Sequence, residues 1–190
     1  MKNVAIFASG NGTNAERVIT NLAPSDAAQV VVVVTNNPKA GVINRAKQAG
    51  VAVELIDQNW DQTGDLIEML SRHETDIILL LGYLKLLPVG VIEKYDGHIV
   101  NLHPALLPKY GGKGMYGHFV HEAVANSGDS VSGLTLHRVN NLYDDGEILY
   151  QAKIDLPENV EARTIQELEN NLEAEKVAPA IRELIESGVI

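Results

Sequence analysis

The order of the first elements is decided by residues 4–22, which read VAIFASGNGTNAERVITNL. The apolar run at 4–8 predicts a buried strand, and the apolar positions of 15–22 keep the spacing of one helix face. Between them, Gly10 and Gly12 relax the backbone where the strand ends. The stretch therefore predicts a strand, a glycine loop and a helix, which together form the first unit of an α/β fold.

The same alternation of strands and helices continues along the chain. Further strands are predicted at 30–34, 51–56, 99–103, 133–139 and 148–154 and within the apolar run 76–88, and further helices at 42–49, 61–73, 116–126 and 165–185. The β-branched run at 30–34 is typical of a strand covered on both faces. The sequence thus predicts an α/β fold with an open, mainly parallel sheet and helices on both faces, in a single domain over 1–190.

The composition excludes several classes of protein. With 45% hydrophobic and 21% charged residues, the chain matches an ordinary globular protein. It has no cysteine, so a disulfide framework, a thiolate nucleophile and a cysteine-ligated zinc site are excluded. A net charge of −10 disfavours nucleic acid, and no apolar stretch approaches the roughly 20 residues of a membrane span. We expect a cytoplasmic protein that acts on small molecules, with no nucleic acid or membrane as partner.

The glycine loop is a candidate phosphate site, because the helix after it begins with free backbone N–H groups. A tight turn that binds nothing is the alternative. Gly10, Gly12 and Ala15 also satisfy the dinucleotide pattern G-x-G-x-x-A. A nicotinamide site would need a carboxylate after the second strand, where the sequence has only polar, uncharged residues at 35–37. A phosphate monoester is therefore the favoured ligand.

A second candidate group is Asn101 and His103 in the segment NLHPALLP. Residues two apart on an extended segment project to the same side. An amide N–H and an imidazolium can both stabilise negative charge on a carbonyl oxygen under attack. Alternatively, Asn101 closes a turn and His103 is a buried histidine with its hydrogen bonds satisfied.

A third candidate is the polar loop NNLYDDG at 140–146 between two late strands. Its Asp144 and Asp145 could orient or charge a histidine, or could form a solvated turn closed by Gly146.

The remaining polar residues carry weaker signals. His118 and His121 have a spacing that allows metal binding, but the sequence indicates no third ligand. His137 could lie in the core or face a site. The acid-rich segment 161–175 and the carboxylates after Leu156 are interpreted as solvated helix faces.

Four stretches taken together, SGNGTN, LGYLKLLP, NLHPALLPKYGGKGMYG and SGLTLHRVNNLYDDGEILYQ, resemble the glycinamide ribonucleotide formyltransferase family. The resemblance covers almost the whole chain. It implies a Rossmann-like formyltransferase domain that transfers the formyl group of 10-formyltetrahydrofolate to the amine of glycinamide ribonucleotide in de novo purine biosynthesis. It also implies no metal. We expect a monomer or homodimer.

The resemblance carries roles over to particular residues of this chain. It implies a catalytic set of Asn101, His103 and Asp144, with Asp144 as the acid of a D-x-G pattern. It implies that the substrate phosphate and sugar bind at Asn11, Gly12, Thr13 and Glu173. The folate falls on Leu84, Lys85, Leu86, Leu87, Asn101, Asn140, Asn141, Leu142, Tyr143 and Asp144.

The chain departs from the family pattern at two places. Segment 58–64, QNWDQTG, lacks an arginine that many members direct at the folate, and Ala105 stands where they have serine before a longer glycine-rich loop. Methionyl-tRNA formyltransferase and formyltetrahydrofolate deformylase resemble the same catalytic domain, but the former appends a basic domain and the latter a regulatory one. A deformylase-like hydrolase and a non-catalytic phosphate- or nucleotide-binding module are the alternatives.

Overall fold

The computed structural model describes residues 1–56 and 63–190. Its strands are β1 (Lys2–Phe7), β2 (Ala28–Thr35), β3 (Ala52–Leu55), β4 (Ile77–Leu80), β5 (Ile99–His103), β6 (Val131–Arg138) and β7 (Ile148–Asp155). Its helices are α1 (Thr13–Leu22), α2 (Val42–Gln48), α3 (Thr63–Arg72), α4 (Val89–Lys94), α5 (His118–Ser127) and α6 (Ala162–Glu186). The predicted start of the third helix at residue 61, and most of the arginine-free segment 58–64, lie outside the described residues.

The strands form one sheet in the order β3-β2-β1-β4-β5-β6-β7. Neighbouring strands from β3 to β5 pair in parallel, whereas β6 pairs antiparallel with both β5 and β7. The chain winds outward from β1 on one side and then returns to place β4 on the other. A crevice therefore opens at the carboxyl ends of β1 and β4, where such sheets bind ligands.

Both faces of the sheet are covered, as the uniformly apolar strands predict. Val4 and Ile6 of β1 pack in a cluster with α1, α2 and α6, while Ala5 and Phe7 pack on the opposite face with α3 and α4. Because alternate residues of a strand point to opposite faces, β1 is buried on both sides. The open, mainly parallel α/β sheet predicted from the sequence is confirmed.

Two differences from the predicted elements concern local signals. The short helix α4 was not predicted, because six residues after Pro88 are too few to show a helical period. Helix α5 begins at His118 instead of residue 116, since Gly117 adopts a positive φ of 55° that ends the preceding loop. Within the described residues, no helix is both long enough and apolar enough to cross a bilayer.

Candidate active site

A cavity of about 690 Å³ lies at the carboxyl ends of β1, β4 and β5. Its wall contains every residue of the predicted phosphate, folate and catalytic sets except Asn141, which is exposed and does not line it. The glycine loop, segment 84–87, the end of β5 and part of α6 therefore line one cavity. The loop between β6 and β7 closes one side of it.

The glycine loop after β1 forms one end of the cavity. Gly12 has a φ of 77°, and a Cβ atom there would lie 2.4 Å from Val42 Cγ2, so only glycine fits. Arg45 Nε donates a hydrogen bond of 2.9 Å to the carbonyl oxygen of Asn11, which ties the loop to α2. Helix α1 begins at Thr13, and its first N–H groups have no carbonyl partner within the helix. These N–H groups can donate hydrogen bonds to an anion.

Glu173 of α6 stands beside that loop. Its Oε2 accepts a hydrogen bond of 2.7 Å from Asn14 Nδ2 on α1. Burial raises the pKa of Glu173, and the nearby carboxylate of Glu169 adds to the rise, while the Asn14 hydrogen bond opposes it. A carboxyl group in this place can accept hydrogen bonds from sugar hydroxyls.

The other end of the cavity holds three polar side chains from β5 and β6. Asn101 lies opposite His137 in the β5–β6 register, and Asn101 Nδ2 donates to His137 Nε2 at 3.0 Å. The Nδ1–H of His137 donates to the carbonyl of Arg138 at 2.8 Å. His103 Nε2 donates to the carbonyl of Tyr110 at 2.8 Å, which leaves Nδ1 facing the cavity.

Asp144 completes this group from the loop between β6 and β7. Its Oδ1 lies 3.7 Å from His103 Nδ1 and 3.5 Å from His137 Nε2, and its Oδ2 accepts a hydrogen bond of 2.9 Å from the backbone N–H of Gly112. The turn that presents it is tight, since a Cβ atom at Gly146 would lie 1.9 Å from the carbonyl oxygen of Arg138. The neighbouring Asp145 is exposed.

The ionisation of the pair differs from the sequence-based expectation. Burial lowers the pKa of His103, and the opposing effects of the Asp144 carboxylate and the Tyr110 carbonyl do not cancel it. The expectation that a nearby aspartate charges the histidine is therefore corrected to a neutral His103 imidazole at neutral pH. For Asp144 burial raises the pKa, but the contacts with His137 and with the Gly112 backbone N–H outweigh it, so its pKa is lowered. The site pairs an ionised carboxylate with a neutral histidine.

An apolar rim surrounds the mouth of the cavity near Asp144. Leu84, Leu86, Leu142 and Tyr143 are between 48% and 68% exposed, an unusual degree for large apolar side chains so close together. Leu87 is buried beneath them and Lys85 is exposed at the rim. The backbone N–H of Leu84 donates to Ser9 Oγ at 3.1 Å, which ties this segment to the end of β1. The rim suits a flat, partly apolar ligand.

Three buried acid or histidine side chains of the wall, those of Glu169, His121 and His137, were not predicted as site residues. Glu169 of α6 is 1% exposed, so the interpretation of segment 161–175 as a solvated face is wrong at this position. Ser132 Oγ donates to Glu169 Oε1 at 2.6 Å, and His121 Nδ1 lies 2.7 Å from Glu169 Oε2. His137, left open as core or site-facing, is both buried and part of the cavity wall. Glu169 could have been identified from the sequence, because it lies four residues before Glu173 and therefore on the same face of α6.

The suggested metal pair is not assembled. His118 is exposed and stacks near Phe119 with a ring separation of 4.0 Å, whereas His121 points inward to Glu169. Across residues 1–56 and 63–190, no three side chains of the metal-ligating types converge.

An open α/β sheet with a glycine loop, an Asn–His–Asp group and an apolar rim is typical of an enzyme that transfers a chemical group between small molecules. Residues 2–181 match the formyl transferase family, and the chain belongs to it. It is similar to the chloroplastic phosphoribosylglycinamide formyltransferase of Arabidopsis thaliana, with 37% identity over 99% of this chain and 69% of that protein. The phosphoribosylglycinamide formyltransferase of Bacillus subtilis is 32% identical over 97% of this chain and 95% of its own length. Among solved structures, glycinamide ribonucleotide transformylase 1 of Geobacillus kaustophilus superposes with a TM-score of 0.88 and 28% identity, covering 97% of this chain and 99% of that one.

Proposed function

We propose that this chain transfers the formyl group of 10-formyltetrahydrofolate to the amine of glycinamide ribonucleotide in purine biosynthesis. The observation that carries the proposal is a single cavity with the glycine loop at one end and the Asn101, His103 and Asp144 group at the other. The relatives that match along the whole chain are named for this reaction.

Each substrate has a complementary part of the cavity. The phosphate accepts hydrogen bonds from the backbone N–H groups at Gly12 and Thr13, helped by the positive end of the α1 dipole. The sugar lies against Glu173. The pterin end of the folate packs among Leu84, Leu142 and their neighbours on the apolar rim. This arrangement brings the amine and the formyl carbon together beside His103.

The chemistry then follows from the ionisation of the site. The amine attacks the formyl carbon, and a C–N bond forms while the carbonyl oxygen becomes an alkoxide. Asn101 donates an amide hydrogen to this oxygen. Neutral His103 takes the amine proton on Nδ1, and the resulting imidazolium is stabilised by the Asp144 carboxylate at 3.7 Å. When the alkoxide collapses, the folate nitrogen leaves and takes that proton from His103.

One assay separates transfer from hydrolysis. The protein is mixed with a chromophoric formyl-folate, and release of deformylated folate is followed optically with and without glycinamide ribonucleotide. We expect turnover only when the amine is present. Steady deformylation without any amine would instead support the deformylase alternative, and ligand binding with no turnover would support the non-catalytic module.

We also propose that residues 1–190 act as one formyltransferase domain, as a monomer or homodimer in the cytoplasm, without a metal. The match to residues 2–181 supports a single unit. Light scattering after gel filtration gives the mass in solution, and thermal unfolding in a single cooperative step is the result expected of one domain.

A further inference from the structure

We propose that Asp129 is a positioning residue for this reaction, which acts through Tyr110 to hold the imidazole of His103. The proposal builds on the proposed formyl transfer, in which His103 Nδ1 receives the proton. Asp129 itself lies outside the wall of the substrate cavity. Its effect on the reaction is therefore indirect and travels through a short series of hydrogen bonds.

The first contact of the series fixes the histidine. His103 Nε2 donates to the carbonyl oxygen of Tyr110 at 2.8 Å, which leaves Nδ1 as the free nitrogen of the ring. Tyr110 has a φ of 60°, in the left-handed region that bulky residues seldom adopt. Such a conformation persists only where the surroundings hold it. Something must hold Tyr110 in the conformation that aims its carbonyl at His103.

The second contact supplies that hold. The hydroxyl of Tyr110 donates to Asp129 Oδ2 at 2.6 Å, and Lys109 Nζ lies 2.5 Å from the same oxygen. The backbone N–H of Asp129 donates to Ser127 Oγ at 3.1 Å, so the acid is fixed on the turn that follows α5. Hydrogen bonds from Lys109 and Tyr110 lower the pKa of Asp129 and keep it ionised.

Apolar packing supports the same conformation. The ring of Tyr110 packs against a cluster formed by Val124, Leu156 and Ile165. This cluster orients the ring, but apolar contacts permit the phenol to slide along its own axis. The hydrogen bond to Asp129 is directional and removes that freedom. Loss of the carboxylate would let Tyr110 relax toward an ordinary φ and move its carbonyl away from His103.

The test compares Asp129→Asn, Tyr110→Phe and the double variant, with Asp26→Asn as a control that removes an exposed carboxylate elsewhere. We expect kcat to fall about tenfold in each single variant, as for the loss of one charge-assisted hydrogen bond. KM for both substrates should stay within about twofold. The double variant should be no slower than either single one, because both changes break the same series of contacts.

A second readout does not depend on turnover. The Tyr110 carbonyl raises the pKa of His103, so its displacement should lower the NMR-titrated pKa of His103 in Asp129→Asn and in Tyr110→Phe. This titration needs no substrate, so it stays informative even if the acceptor is a different amine. The proposal is overturned if the melting temperature drops while kcat and the His103 titration keep their original values. The proposal would also be overturned if the losses of kcat in the two single variants multiply in the double variant.

Discussion

Replacing Asp144 by asparagine should slow formyl transfer strongly while leaving the site intact. The carboxylate oxygen lies 3.7 Å from His103 Nδ1, where the Coulomb energy with an imidazolium is about 1 kcal/mol in water and about 4.5 kcal/mol at an effective dielectric constant of 20. Because the Asp144 side chain is only 14% exposed, the interaction lies nearer the larger value. Asparagine removes this stabilisation of the protonated histidine. It can still accept the hydrogen bond from Gly112, so the loop should keep its position.

The expected kinetic result is a fall in kcat on the order of 10²-fold, typical of lost acid–base assistance. KM for the ribonucleotide should change little, because the glycine loop and Glu173 lie at the other end of the cavity. The pKa of His103 should fall further below its ordinary value, since the Asp144 carboxylate is the largest of the effects that raise it. A loss of kcat without a loss of binding identifies an interaction made in the transition state.

The assay combines steady-state kinetics with an NMR titration of the His103 ring. The matched control is Asp145→Asn, which makes the same chemical change one residue later on an exposed side chain. The control should keep its activity and its histidine titration. If Asp145→Asn is the damaging change, Asp144 is not the acid. If neither variant moves the His103 titration, the electrostatic coupling inferred from the distance is wrong.

The glycine loop, the buried Glu169 and the lowered pKa of His103 each lead to a further test. Gly10→Asp should weaken ribonucleotide binding by tenfold or more and leave folate binding unchanged, because it adds a negative charge beside the proposed phosphate site. Gly10→Ala should be tolerated, since a Cβ atom there meets nothing within 4 Å. Equal weakening of both ligands would argue against an anion site. Glu169→Gln should lower the free energy of unfolding by about 1–3 kcal/mol and raise KM for the ribonucleotide, because it alters the buried contact with His121. The exposed Glu175→Gln should do neither, and chemical denaturation and kinetics measure both effects. Burial lowers the pKa of His103, so below about pH 6.5 the unfolded chain binds a proton that the folded chain lacks. The free energy of unfolding should therefore fall as pH drops through about 6.5. The fall should be less steep in His103→Gln.

The sequence was sufficient for features that have a local signal. Apolar runs predicted every strand, and the glycine loop was placed correctly at the end of β1 because Gly10 and Gly12 sit between a strand pattern and a helix pattern. The same-side placement of Asn101 and His103 follows from the two-residue period of a strand. These inferences needed only neighbours along the chain.

Features that depend on distant segments were missed. Glu169 looks like one of many acids on a polar helix, and its burial follows only from the packing of α6 against α5 and β6. His137 joins the site because the β5–β6 register sets it opposite Asn101, and register cannot be derived from either strand alone. The charge expected on His103 was wrong for the same reason. A neighbouring carboxylate can be guessed from a motif, but the extent of burial cannot.

Burial and the Asp144 carboxylate change the pKa of His103 in opposite directions, and the proposed reaction uses both effects. A histidine with a lowered pKa is neutral before the amine attacks, so it has a lone pair to accept a proton. If burial acted alone, the imidazolium would be too costly to form. The Asp144 carboxylate offsets this cost only after the proton has moved, when the two groups become an ion pair 3.7 Å apart. The same imidazolium is then acidic enough to return the proton to the leaving folate nitrogen. Reversible proton transfer therefore requires that neither effect dominate, which is why a change at Asp144 and a change at the Tyr110 contact should both lower the rate.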